Sequence, residues 1–291
     1  MVAKTRGFRH QPGMDMLQAI IIAIVQGATE LFPVSSLGHA VVLPALLHWN
    51  IDQSAPAFLP FLVMLHLGTA TALLGYFWRD WWALAIGTVG LAEAHLVTEA
   101  RRVFVLIVIA TIPAMVVGFL LEHFVRSLFG APAVAATFLI VNGALLLFGE
   151  RLRTRTHRPL SSLTVPDALV IGCWQCTALI PGISRSGATI VGGLLRGIDH
   201  EAAAHFSFLI ATPIILGATV LEVPKLLHAD IPPGTFGIAA LAAVIAGVTA
   251  LASTAFLMRY FRVHDAWALN PFAYYCLVIG AGSLGLLLLV H

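Results

Sequence analysis

Six stretches of this chain, 53–78, 103–121, 131–149, 202–221, 231–258 and 266–290, contain no Asp, Glu, Lys or Arg. Each approaches or exceeds the roughly 20 residues that an α-helix needs to cross about 30 Å of hydrocarbon. In lipid, every backbone N–H and C=O must find its partner within the protein, so a continuous apolar run of this length can only be a helix. Strands of a membrane barrel would instead be weakly alternating segments of about ten residues. Composition agrees, because 59% hydrophobic against 10% charged residues leaves too little charge to coat a soluble globule of 291 residues. The expected fold is an all-α integral membrane protein with six transmembrane helices, forming a single transmembrane domain over 1–291.

Two further apolar regions do not fit that mould. Region 16–49 is interrupted at Glu30 and again by Pro33, Ser35, Ser36 and Gly38, and region 167–197 is interrupted by Pro181-Gly182 and Arg185. Each half is too short to cross alone. Both regions are therefore expected to be re-entrant helical hairpins, whose broken backbone must be buried in protein or line a water-filled cavity. The order Gln, Pro, aliphatic, Ser, Ser, Gly recurs in the two breaks, from Gln26 to Gly38 and from Gln175 to Gly187. A Phe-rich span follows each, at Phe58-Leu59-Pro60-Phe61 and at Phe206-Ser207-Phe208. Two copies of hairpin, span, span, span then account for the chain, as repeats 16–149 and 166–290. Three spans separate the hairpins, so the copies are inverted, an arrangement that places sites near the midplane at the repeat interface.

The basic residues orient this topology. The face opposite the termini holds ten, namely Arg79, Arg101, Arg102, Arg151, Arg153, Arg155, Arg158, Arg196, Arg259 and Arg262, against five (Lys4, Arg6, Arg9, Arg126 and Lys225) on the terminal face. The Arg151–Arg158 loop is accordingly expected in the cytoplasm, near anionic lipid, with the mouth of the first hairpin outside. The segment from Asp80-Trp81-Trp82 to His95 is expected to lie along the interface as a connecting helix. Lys4, Arg6 and Arg9 precede an apolar run, but no small-x-small cleavage site follows and Gln26 to Glu30 interrupt it, so the segment is read as mature sequence. A net charge of +2 with no basic face excludes a nucleic-acid binder. Cys173 and Cys176 form a C-x-x-C inside an apolar segment, where cysteine behaves as a small hydrophobe.

Of 16 Lys and Arg and 14 Asp and Glu residues, only Glu30 and Arg185 fall inside apolar segments at their breaks. Ionisable groups at membrane depth are costly and mark function, with a partner to be named. Hairpins meeting tip to tip would make these two neighbours. The run Pro181-Gly182-Ile183-Ser184-Arg185-Ser186-Gly187-Ala188-Thr189 opens a helix after a turn. Free N–H groups, hydroxyls and an arginine fork there suit phosphate oxygens. On the other hairpin, Ser36 and His39 are three apart and can share a helix face. With Glu30 nearby as base or orienter, they suit hydrolysis through an activated nucleophile. Gln26 and Glu30 share the preceding half-helix, where they can hold a divalent cation or position water. His66 and His205, lone histidines in apolar sequence, are expected to be satisfied core residues.

Gln26-x-x-x-Glu30 followed by Phe32-Pro33-Val34-Ser35-Ser36-x-Gly38-His39, together with Pro181 to Thr189, resembles the two signature motifs of the undecaprenyl-diphosphate phosphatases, the bacitracin-resistance family. Gln175-Cys176-x-Ala178-Leu179 and Phe206-Ser207-Phe208-Leu209 are similar to it as well, so the resemblance spans essentially the whole chain. It implies a bacterial inner-membrane hydrolase that removes the terminal phosphate of undecaprenyl diphosphate and returns the lipid carrier to cell-wall synthesis. It also implies dependence on a divalent cation, Mg²⁺ or Ca²⁺, and a site open toward the periplasm. Gln26 stands where many relatives carry Glu, and Leu31-Phe32 where Phe-Leu is usual.

On this reading the polyprenyl tail lies in the bilayer among the spans. Arg185, with Ser35, Gly182, Ser184, Ser186 and Thr189, holds the phosphates, and Ser36 or His39 attacks phosphorus. Glu30 orients that pair or, with Gln26, holds the cation. A homodimer is one assembly this architecture allows. The rival class is a secondary transporter or flippase of a prenyl phosphate, which uses the same inverted repeat but leaves Ser36 and His39 to packing and capping. A channel would require a ring of pore-lining polar residues, and the spans offer only scattered Ser and Thr.

Overall fold

A computed structural model describes residues 15–49, 51, 53, 58–128, 131–153, 158–228 and 235–290. Lys4, Arg6, Arg9, Arg155 and His157 lie outside them. Six helices among the described residues are long and apolar enough to cross a membrane, by length and composition. They are α3 (Phe58–Tyr76), α5 (Ala94–Leu120), α7 (Pro132–Leu152), α10 (His200–His228), α11 (Thr235–Val263) and α12 (Asn270–Val290). Each carries one of the six charge-free windows. Most overrun their windows at one or both ends, because a charged residue at a helix end can reach water along its own side chain. Thus α5 starts nine residues before its window, and Arg102 donates to the carbonyls of Ser161 and Leu163.

Each broken region is a pair of short helices. The first comprises α1 (Met16–Thr29) and α2 (Ser36–Leu46), the second α8 (Val165–Thr177) and α9 (Arg185–Leu195). Local chemistry sets their ends. Asp15 and Gln18 form a capping box before α1, Thr164 and Asp167 form one before α8, and Ser35 and Ser184 cap α2 and α9 through their side-chain oxygens. Pro33 and Pro181 stand in the breaks, where no helical N–H is required. The longest of the four has 14 residues, about 21 Å at 1.5 Å each, well short of the hydrocarbon thickness.

The connecting segment differs in detail from expectation. Helix α4 (Trp78–Thr88) follows α3 almost directly, and the chain turns at Gly90, whose φ of +83° a side-chain-bearing residue resists, before α5 begins at Ala94. A further short helix, α6 (Glu122–Leu128), carries no apolar window and was not expected.

Small residues let the helices approach closely. A Cβ on Gly27 of α1 would collide with the Ala246 carbonyl oxygen of α11, and one on Gly172 of α8 would lie 2.5 Å from the Ala110 carbonyl oxygen of α5. Large apolar residues also cover the outside. Ile112, Phe119, Val244, Val248 and Leu288 are exposed, a surface suited to lipid and not to water.

Polar side chains tie the helix ends together where the Arg-rich segments gather. Asp167 accepts from Arg158 at 2.8 Å, Arg196 at 2.7 Å and the Thr164 hydroxyl at 2.7 Å. Burial raises its carboxyl, but these bonds outweigh burial and hold it well below the usual carboxylate range. Glu150, buried at the end of α7, accepts from the backbone N–H groups of Trp267 and Leu269 and meets His200 at 3.0 Å. Segments distant in sequence are thereby locked around one end of the bundle, leaving the two breaks to meet within it.

Candidate active site

The last turn of α1 brings Gln26 and Glu30 onto one face, and the chain then leaves the helix through Pro33. Glu30 is 6% exposed and is surrounded by donors. Gln26 Nε2 donates to its Oε2 at 2.8 Å and Ser36 Oγ donates to the same oxygen at 2.6 Å. His66 Nε2, from α3, lies 3.3 Å from Oε2. Across the break, Arg185 Nη2 donates to Oε1 at 3.3 Å, while its Nη1 donates to the Ser207 carbonyl at 3.1 Å. The two ionisable groups singled out at membrane depth are therefore partners. Arg185 has N–H groups to spare, since a guanidinium carries five.

The hairpin tips touch through backbone as well. A Cβ on Gly38 would lie 2.9 Å from Gly182 Cα. Gly182 has a φ of +105°, and a Cβ there would collide with the Ala135 carbonyl of α7, so only glycine fits. Phe32 O, freed by the first break, accepts from Ser186 Oγ at 3.2 Å and Ser184 Oγ at 3.4 Å on the second hairpin. Asn142 of α7, fully buried, serves both breaks: its Nδ2 donates to Pro33 O and its Oδ1 accepts from Ser184 N–H, each at 2.9 Å.

Not all of the expected partners pair. Ser36 turns to Glu30, whereas His39 bonds to the Ser35 carbonyl through Nδ1 at 2.7 Å and to Tyr275 Oη through Nε2 at 2.9 Å. No hydrogen bond links Ser36 to His39 among the described residues. Thr189 Oγ1 is engaged with Ser207 Oγ at 2.7 Å and with the carbonyls of Arg185 and Ser186. Ser184 and Ser186 likewise spend their hydroxyls on the tip contact, which leaves the partly buried Arg185 as the member of the expected phosphate-binding set with N–H groups to spare. Ser35 accepts from Gly38 N–H at 3.1 Å with a φ of +66°, a strained backbone held at the turn into α2.

Three contributors carry no motif in the sequence: His66, Asn142 and Tyr275. His66 is satisfied as expected, with Nδ1 2.8 Å from the Leu62 carbonyl oxygen, but its place is corrected from the core to the candidate site, because its Nε2 faces Glu30. Its signal was the helix face it shares with the hairpin, which a single span does not disclose. His205 does pair as a structural residue, with Asp80 at 3.2 Å. Cys173 and Cys176 are free thiols.

Gln26 Oε1 is buried and has no hydrogen-bond partner among the described residues, beside a carboxylate, so an amide oxygen and, in competition with its present donors, a carboxylate oxygen can meet a hard ion. Among the described residues no three His, Cys, Asp or Glu side chains gather into a metal cage. The donor set fits a Mg²⁺-type ion that takes one carboxylate and draws its remaining oxygens from water and substrate phosphates.

Comparison with known proteins matches residues 19–282 to the family model described as bacitracin resistance protein BacA. The chain belongs to the BacA family. It is 70% identical over 284 residues to an undecaprenyl-diphosphatase of Granulibacter bethesdensis, covering 93% of this chain and 96% of that relative. It is 60% identical over 275 residues to an undecaprenyl-diphosphatase of Acidiphilium cryptum, covering 93% and 98%. A third relative of that name, from Gluconobacter oxydans, is 55% identical over 280 residues, covering 94% and 100%. The BacA match spans both breaks, so Glu30, Ser36, His39 and Arg185 all fall within it.

Proposed function

We propose that this BacA-family chain hydrolyses undecaprenyl diphosphate to undecaprenyl phosphate and inorganic phosphate, recycling the lipid carrier for cell-wall synthesis and conferring bacitracin resistance. The observation that carries the mechanism is the Ser36 hydroxyl donating to Glu30 Oε2 at 2.6 Å, with Arg185 on the opposite carboxylate oxygen. A hydroxyl hydrogen-bonded to a carboxylate at membrane depth is a nucleophile with its base in place. At rest Gln26, Ser36 and Arg185 all donate to that carboxylate. Arrival of a diphosphate draws Arg185 onto phosphate oxygens, which removes one donor from Glu30 and leaves it better able to take the Ser36 proton.

Ser36 Oγ then forms a bond to the terminal phosphorus, the bridging P–O bond breaks, and undecaprenyl phosphate departs. Water cleaves the phosphoserine and restores the hydroxyl. Arg185 offsets the charge that develops on the phosphoryl oxygens. A divalent cation, Mg²⁺ or Ca²⁺, would be held by Gln26 Oε1 and one Glu30 oxygen, the other keeping Ser36, and would supply further positive charge to the diphosphate.

The placement of this site follows from the two broken regions acting as re-entrant hairpins of an inverted repeat. Helices too short to span, tips in contact, and the matched crossings of α1 on α11 at Gly27 and of α8 on α5 at Gly172 support that reading. The excess of arginine opposite the termini supports an inner-membrane orientation with the site open to the periplasm. A flippase built on the same frame would use the Glu30–Arg185 pair as a clamp but would have no use for a hydroxyl aimed at the carboxylate.

Phosphate release from a long-chain prenyl diphosphate by detergent-purified protein with a divalent cation separates the two, since detergent abolishes transport but not hydrolysis. Glu30→Gln and Arg185→Ala should each lose on the order of a hundredfold or more in turnover. Near-normal release by either folded variant, or none by the natural chain, counts against the proposal.

A further inference from the structure

The partners of His39 lie away from Glu30, and its surroundings specify which ring nitrogen carries the proton. Nδ1 lies 2.7 Å from the Ser35 carbonyl oxygen, which can only accept, so Nδ1 carries the proton. In the neutral ring Nε2 is then the lone-pair nitrogen, and the group 2.9 Å from it is the Tyr275 hydroxyl, a donor. Tyr275 comes from α12, 236 positions away along the chain. Its ring lies nearly parallel to the imidazole, 18° between planes and 5.7 Å between centroids. The next residue, Cys276, is buried beside the first break, with its Sγ 3.9 Å from Pro33 O and 3.3 Å from Asn142 Nδ2 of α7. Helix α12 thus meets the first broken region at two consecutive residues, Tyr275 through its hydroxyl and Cys276 through packing.

Tyr275 is 41% exposed, so nothing obliges its hydroxyl to seek a protein partner. A tyrosine that could bond to water or a lipid headgroup bonds instead to the free nitrogen of His39. We propose that Tyr275 is a positioning residue of the phosphatase. Its hydroxyl donates to Nε2, which holds His39 as the Nδ1–H tautomer and fixes the orientation of its ring beside Ser36. This rests on the phosphatase reading above. It adds a residue of the last helix that the motifs do not contain.

The test is a double-mutant cycle. Tyr275→Phe keeps the ring and the stacking and removes only the hydroxyl. Loss of one hydrogen bond to a positioned group should lower kcat about threefold to tenfold, with KM changed less than about twofold. In a His39→Ala background the same substitution should cost less than about twofold, because a residue that acts through His39 has nothing left to position. An equal loss in both backgrounds, or no loss in the natural background, overturns the inference. A second readout does not depend on activity. The ¹⁵N resonances of the His39 ring should report a protonated Nδ1 and a bare Nε2, and the Nε2 resonance should move in Tyr275→Phe. A protonated Nε2 in the natural chain, or an unmoved resonance, refutes the contact. Absence of phosphate release by the natural chain would overturn the phosphatase reading and the catalytic part of this inference, while the resonances would still report whether Tyr275 holds His39.

Discussion

Asn142 offers the sharpest test of how the two breaks are held. Replacing it with Ala removes the donor to Pro33 O and the acceptor for Ser184 N–H, both at 2.9 Å in a fully buried setting. Hydrogen bonds between membrane helices average only about 0.6 kcal/mol when their partners can pair elsewhere. Here the partners are backbone groups at breaks, without the regular helical partner that could replace Asn142. The relevant cost is therefore that of leaving a buried group unpaired, about 1–3 kcal/mol each. Pro33 O keeps a weak contact with Cys276 Sγ at 3.9 Å, so its share falls at the low end and that of Ser184 N–H at the high end. Together they give about 2–4 kcal/mol for Asn142→Ala. Asn142→Asp keeps the acceptor for Ser184 but points a carboxylate oxygen at the Pro33 carbonyl, so it should be no better tolerated. Unfolding of the purified protein in detergent measures the loss of stability. Phosphate release under folding conditions should fall with it, because a shift of about 1 Å at the tips separates Arg185 from Glu30. An Asn142→Ala protein within about 0.5 kcal/mol of the natural chain, with unchanged turnover, would show that the tips are held by something else.

Other perturbations test neighbouring parts. His66→Gln retains an N–H that can reach Glu30 and should keep turnover within about tenfold, whereas His66→Ala should fall further, by roughly ten- to a hundredfold in phosphate release. Gly182→Ala meets both a φ of +105° and the Ala135 carbonyl, so its unfolding midpoint should drop by an amount corresponding to about 2–4 kcal/mol. Asp167→Asn should cost about 1–2 kcal/mol at neutral pH, less than a fully buried pair, because Arg158 and Arg196 remain partly exposed to solvent. The Asp167 carboxyl is held below its ordinary value, so its contribution is complete above the unfolded carboxylate value of about 3.9 and is lost as the pH falls below it. The gap in thermal unfolding between Asp167→Asn and the natural chain should accordingly narrow on acidification below about pH 4.

Much of this protein could be read along the chain because the bilayer makes its demands locally. Charge-free windows had to become helices, and Pro33, Pro181 and Gly182 had to interrupt the segments that contain them, since hydrogen-bond periodicity and ring geometry act over a few residues. Glu30 and Arg185 were conspicuous for the same reason: a charge in an apolar run is costly wherever the chain goes next. Even their pairing was to be expected from two similar breaks, each with one charge. What the chain alone could not decide was which side chain faces which. Ser36 and His39 share a motif and a helix, yet one turns to Glu30 and the other to Tyr275, because α1 and α12 arrive on different sides of α2. His66 and Asn142 sit in spans as ordinary as their neighbours, and their roles arise only where α3 and α7 cross the hairpins. The hydroxyls of Ser184, Ser186 and Thr189, placed beside Arg185 by sequence, are taken up by carbonyls and a serine that the second hairpin meets only when folded. The helices and their breaks are thus properties of the sequence, whereas the partners of each polar group depend on contacts between segments up to 243 residues apart, which only packing supplies.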